Sequence, residues 1–90
     1  GSHHDDGVAH HVLGRVYAAR AAGEGETQSA TAARTHFERA LELLQGAGDM
    51  FELARCWRSY AEFLKIQGDD REAARCTEAA SCIFKELGVE

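Results

Sequence analysis

Between Trp57 and Ala80 the sequence WRSYAEFLKIQGDDREAARCTEAA sets a Gly-Asp-Asp triplet between two apolar patterns of helical period. Before the triplet, Trp57, Tyr60, Ala61 and Leu64 recur at three-and-four spacing, and after it Ala73, Thr77, Ala80 and Phe84 do the same. That spacing marks two helices, each with one face to bury. Gly68 takes at little cost the left-handed backbone that ends a helix, and Asp69 can cap the amides opening the next, with Glu72 completing a capping box. The chain therefore folds back here as an antiparallel helical hairpin, and the remaining residues have to pack on it.

Upstream, Val8, Val12, Leu13, Val16 and Tyr17 trace a helical stripe through about Ala22. A second stripe from about Thr31 to Gln45 carries Ala33, Phe37, Ala40, Leu41 and Leu44, with Arg34, Glu38, Arg39 and Glu42 mostly opposite. Gly23 to Ala30, GEGETQSA, reads as a mobile loop, the first place for a protease to cut. Gly46 and Gly48 stop the second helix, and Asp49 with Glu52 caps a third, MFELARCWRSYAEFLKIQ. The expected fold is all-α, with hairpin one over about 8–46 and hairpin two over about 49–88, in a single domain of residues 5–90. Residues 1–4 read as the remnant of an affinity tag. Trp57, on a helix lying between both second helices, is expected to be the central core residue.

No uninterrupted apolar run approaches membrane-spanning length and no secretory signal is legible, so a cytoplasmic location is expected. The net charge of -5 argues against nonspecific attraction to nucleic acid or an anionic membrane. Cys56, Cys76 and Cys82 form no CxxC pair and read as reduced thiols that pack as small apolar residues.

The residues Trp57, Tyr60, Ala61, Leu64, Gly68, Ala73 and Ala80 resemble one tetratricopeptide repeat: a large aromatic, a large then a small residue, another large one, a tight turn, and two small residues on the second helix. Leu13, Gly14, Tyr17, Ala33, Phe37 and Ala40 match the same pattern over the first hairpin. His10 stands where the bulky aromatic usually sits, and extra residues lie between the helices. The long form is similar to the repeats of bacterial signalling and transcription-regulatory proteins. The resemblance implies a helical stack whose first helices line an inner groove. His11, Arg15, Ala18 and Ala19 would face it from the first hairpin, and Arg55, Arg58, Glu62, Lys65 and Ile66 from the second. Of these, His11, Arg15, Arg55, Arg58, Glu62 and Lys65 are the candidate partner-binding residues. Their basic members favour an acidic peptide or helix, because guanidinium groups pair bidentately with carboxylates; a solvated face with local pairs such as Arg58 and Glu62 is the plainer alternative. The family's clamp for a terminal carboxylate uses asparagines, and this chain has none.

For catalysis, His36 and Cys82 are of the right types, yet no nucleophile sits in a glycine-flanked elbow and no loop resembles a phosphate cradle. His3, His4, His10 and His11 do not form a metal set, since adjacent helical residues point in different directions. Phe37, Trp57, Tyr60, Phe63 and Phe84 fall mostly at core spacing, with Phe63 off the main stripe. No enzyme activity, metal or cofactor is expected. The expected function is a noncatalytic protein-protein interaction module from a larger regulatory protein. The alternative is a self-associating structural module: Cys76, Ala79, Ile83 and Leu87 make a second stripe on the last helix that asks for a cover, most simply in a homodimer.

Overall fold

The Gly-Asp steps end and restart the chain as their chemistry requires. The structure, a computed structural model, describes residues 2–24 and 27–89 and contains four helices: α1 (Ser2–Glu24), α2 (Thr27–Ala47), α3 (Met50–Ile66) and α4 (Asp70–Leu87). No strand occurs among the described residues. At Gly68 the backbone is left-handed, with φ of 88°. Its N–H donates to the Lys65 carbonyl and the Asp69 N–H to the Leu64 carbonyl, the paired bonds of a Schellman ending. The Asp69 carboxylate then accepts from the Glu72 N–H at 3.3 Å. The α2–α3 junction repeats this arrangement. Gly48 and Asp49 donate to Gln45 and Leu44, and Asp49 accepts from the Glu72 equivalent, the Glu52 N–H, at 3.2 Å.

α1 packs along α2 and α3 along α4; α3 also lies on α2 and touches α1, whereas α4 approaches only α3 among the described residues. Two hairpins are thus joined through α3. The main core is built from Ala33, Phe37, Leu44, Cys56, Tyr60, Phe63 and Leu64 with their neighbours, and a smaller cluster of Ala54, Ala80 and Phe84 fills hairpin two.

The expected loop over residues 23–30 is corrected. Gly23 and Glu24 finish α1, Thr27 to Ala30 open α2, and residues 25 and 26 lie outside the described ones. Polar composition does not prevent a helix here because the hydroxyls bond within it: Thr31 donates to the Thr27 carbonyl at 3.1 Å and Thr35 to that of Thr31 at 3.0 Å. Ala21 and Ser29 are both buried, small enough to let the helices stay close to their ends. What reads as inserted loop is extra helix on both arms.

Trp57 is also corrected. It is half-buried and bridges the two clusters, while the fully buried large side chains are Phe37, Leu44, Leu64, Cys56 and Cys76. The stripe on α1 is turned as well. Gly7, His11, Gly14 and Ala21 are buried, and Val12, Leu13 and Val16 face outward. Glycine decides that choice. A Cβ on Gly14 would lie 2.8 Å from the Phe37 ring, and one on Gly7 2.7 Å from Leu44, so α1 approaches α2 more closely than any larger residue permits.

Candidate interaction surfaces

α1 and α3 enclose a shallow groove of about 160 Å³. Ala18, Ala19 and Ala22 form one wall and Phe63 and Ile66 the other, with Arg15 and Glu62 on opposite sides and Phe37 at the floor. Ile66 is 66% exposed at the rim. The structure therefore brings together Arg15 and Glu62 of the expected set, along with Ala18, Ala19 and Ile66.

His11 does not face this groove as expected. It is 5% exposed beneath α3, its Nε2 2.8 Å from Ser59 Oγ and its Nδ1 3.5 Å from the Glu52 carboxylate. Burial lowers its pKa below 6.5, with Glu52 opposing part of that effect. The neutral ring satisfies both neighbours, Nδ1–H donating to Glu52 and Nε2 accepting from Ser59. Arg55 donates to the same Glu52 at 2.8 Å. His11 is a structural cross-link between hairpins, and Arg55 an exposed partner in its network.

Arg58 and Lys65 are corrected too. They turn toward α4, lining an open groove with Ala61, Ala73, Ala74 and Thr77. The Arg58 guanidinium lies 4.8 Å from the Phe84 ring centre. On a helix, residues 58 and 65 sit about a sixth of a turn or more away from the ridge of 62 and 66, which splits the expected basic face in two.

The expected self-association stripe is likewise divided. Cys76 is 1% exposed and belongs to the main core; Ala79 and Ile83 are half-buried, Ile83 against both clusters, and Leu87 is exposed. Thr77, expected inside, is exposed. The rest of the expected inward stripe holds: Ala73, Ala80 and Phe84 are buried, and Cys76 takes the inward place expected of Thr77.

Two features escaped the sequence reading. Phe63, read as off the stripe, is buried in a three-ring cluster, 5.9 Å from Phe37, with Tyr60 5.3 Å from Phe37. The Tyr60 hydroxyl donates to Glu38 at 3.2 Å and accepts from Arg34 at 3.1 Å; burial pushes its pKa up to about 12. Phe51, on the first turn of α3, is 48% exposed and meets Phe84 edge-on at 5.9 Å. The signal for Phe63 was present, since residues 56, 60 and 63 share one face of α3.

Burial also pushes the Cys56 thiol up to about 12 and that of Cys76 to about 11, so neither is a thiolate near neutrality. His36 and Cys82 lie on α2 and α4, whose backbones do not approach each other closely among the described residues. His10 and His36 pair through their Nδ1 atoms at 2.9 Å, and Tyr17 stacks on His36. Among the described residues, no group of three or more His, Cys, Asp or Glu is placed to hold a metal ion, and no helix is long and apolar enough to cross a membrane. Compared with family models, curated proteins and solved structures, the chain matches none.

Proposed function

We propose that the chain is a noncatalytic protein-protein interaction module of two tetratricopeptide-like hairpins, part of a larger cytoplasmic regulatory protein, that takes a helix or peptide in the groove between α1 and α3. The observation that carries this reading is the groove itself. Its alanine wall leaves room for incoming apolar side chains, and the exposed Ile66 gains from being covered. Arg15 at its edge favours a partner with a carboxylate beside its apolar residues. The buried, unpaired thiols of Cys56 and Cys76 accord with a reducing compartment.

The test is fluorescence polarisation against a panel of amphipathic acidic helical peptides. Binders are expected that lose affinity at least about tenfold, or 1.4 kcal/mol, on Ala19→Trp, which fills the groove from an exposed position. Binders indifferent to Ala19→Trp and to Arg15→Glu would place the site elsewhere. Self-association is the second reading, favoured by the outward Val12, Leu13 and Val16 of α1, which are 51%, 39% and 48% exposed.

A further inference from the structure

The two hairpins repeat one another, and the differences in their burial identify what each end lacks. Matching Gly14 to Ala61 carries α1 onto α3, and matching Ala33 to Ala73 carries α2 onto α4. Gly7 then falls on Ala54 and Ala40 on Ala80, and every one of these positions is buried. Within that shared frame, three residues of hairpin one are covered by α3: His11 bonds Ser59, Arg34 bonds Tyr60, and Phe37 stacks on Tyr60. Their counterparts Arg58, Ala74 and Thr77 are exposed and line the open α3–α4 groove. The reverse holds for the residues that do the covering. Cys56, Tyr60 and Phe63 of α3 are buried, whereas their counterparts Ala9, Leu13 and Val16 of α1 are exposed. α1 thus presents an uncovered version of the face with which α3 docks, and α3 with α4 presents an uncovered version of the groove that receives it.

We infer that a second copy of the chain stacks head to tail on the first, its α1 lying in the α3–α4 groove and repeating between copies the packing of α3 on α1 and α2. Charge and volume both fit. Arg15 and Glu62 are counterparts of each other and face one another across the internal groove; at the junction Glu62 of one copy faces Arg15 of the second. Glu52 meets His11 internally. Their counterparts are Asp5 and Arg58, so a carboxylate again meets a nitrogen donor, now a guanidinium. Small side chains at Ala61, Ala73 and Ala74 leave space for the second copy's Leu13 and Val16. Because the two surfaces differ, each junction leaves a free groove at one end and a free α1 face at the other, and growth does not close at a dimer. The junction seats the second copy's α1 on α3 and α4 while sharing Arg15 and Glu62 with the edges of the α1–α3 groove, and it rests on the self-association reading above, to which it gives a geometry.

Sedimentation velocity of the full chain, from micromolar to roughly millimolar concentration, the weak end of specific binding, is the test. The average mass is expected to rise past that of a dimer without a plateau. Val16→Glu places a charge on the α1 face and Ala74→Glu one in the groove, both at exposed positions. Each variant alone is expected to sediment as a monomer. Their equimolar mixture is expected to form one heterodimer and nothing larger, since it contains one intact face and one intact groove. Circular dichroism checks that each variant keeps its helices, and Leu13→Glu with Thr77→Glu replaces the pair if either does not. A wild type that stays monomeric throughout, as it would if these faces served a different partner, overturns the inference. So does a plateau at the dimer, a mixture that remains monomeric, or association that survives either substitution.

Discussion

Two glycines of the first hairpin differ in what an added methyl group would meet, and this fixes the sign of a substitution at each. Gly14 faces the Phe37 ring at 2.8 Å from its missing Cβ, and that ring is 1% exposed and held by Tyr60 and Phe63. Alanine gains about 1 kcal/mol over glycine in a helix interior, but overpacking a close-fitted core costs about 1–3 kcal/mol. Gly14→Ala is therefore expected to lower the melting temperature, by several degrees if the net loss is about 1 kcal/mol. Gly23, with nothing within 4 Å, keeps only the propensity term, and Gly23→Ala is expected to raise it. Thermal melts of both variants check the opposed signs; equal shifts would mean that α1 does not approach α2 as closely as described. His11 gives a pH dependence. Its folded pKa lies below the ordinary 6.5, so the unfolded chain takes up the proton first. Stability contributed by the neutral ring is complete above 6.5 and falls as pH drops below it toward the folded value. Urea melts at stepped pH are expected to show that decline in the wild type and a flatter profile in His11→Gln over the same window.

At the scale of elements, the turns were legible and the helix lengths were not. Gly48-Asp49 and Gly68-Asp69 each combine a left-handed ending with a capping carboxylate, and no other residue pair does both in two positions, so these boundaries followed from chemistry. The segment around Gly23 to Ala30 carries the composition of a loop, yet α1 runs to Glu24 and α2 opens at Thr27, because hydroxyl groups bond to the preceding turn of α2 and small buried residues let the arms run side by side. Amide exchange distinguishes the two. Ala22 and Gly23 near the end of α1 have carbonyl partners one turn back and are expected to exchange slowly compared with a peptide of the same sequence; exchange at the peptide's rate would return this segment to a loop. That Cys76 and not Thr77 turns inward on α4 was illegible for a related reason. Cys76 and Thr77 are similar in size, and only the packing of α3 shows that the thiol goes inside. Arg15 and Glu62 were placed at the groove by the resemblance to the repeat family, since helical spacing alone marks only two amphipathic hairpins. His11 was misplaced, because its burial depends on Ser59 and Glu52 of another helix.

For the whole molecule, α3 is the one element on which both hairpins rest, and Tyr60 is where it grips the first. Its ring packs on Phe37 and its hydroxyl joins Arg34 and Glu38 of α2, while Trp57 bridges the main core and the small cluster of hairpin two. The two residues should therefore fail differently. Tyr60→Ala opens a cavity under a buried ring, a loss of about 3–5 kcal/mol, and removes the hydroxyl that ties Arg34 and Glu38 of α2 to α3. A domain of this size holds near the lower end of about 5–15 kcal/mol in total. The expected result is that hairpin two detaches before hairpin one unfolds, which lowers the urea m-value or splits the transition, because less surface is exposed in the final step. Tyr60→Phe keeps the ring and removes one hydrogen-bonding group, a net loss of about 0.5–1.5 kcal/mol, and should shift the midpoint with m unchanged. Trp57→Ala removes a half-buried ring, so its cost should fall below that of Tyr60→Ala and leave the hairpins coupled. Urea unfolding followed by far-ultraviolet circular dichroism compares the three variants. If Tyr60→Ala melts in one transition with the wild-type m-value, the hairpins are joined by more of α3 than the Tyr60 cluster, and the junction is distributed along the helix.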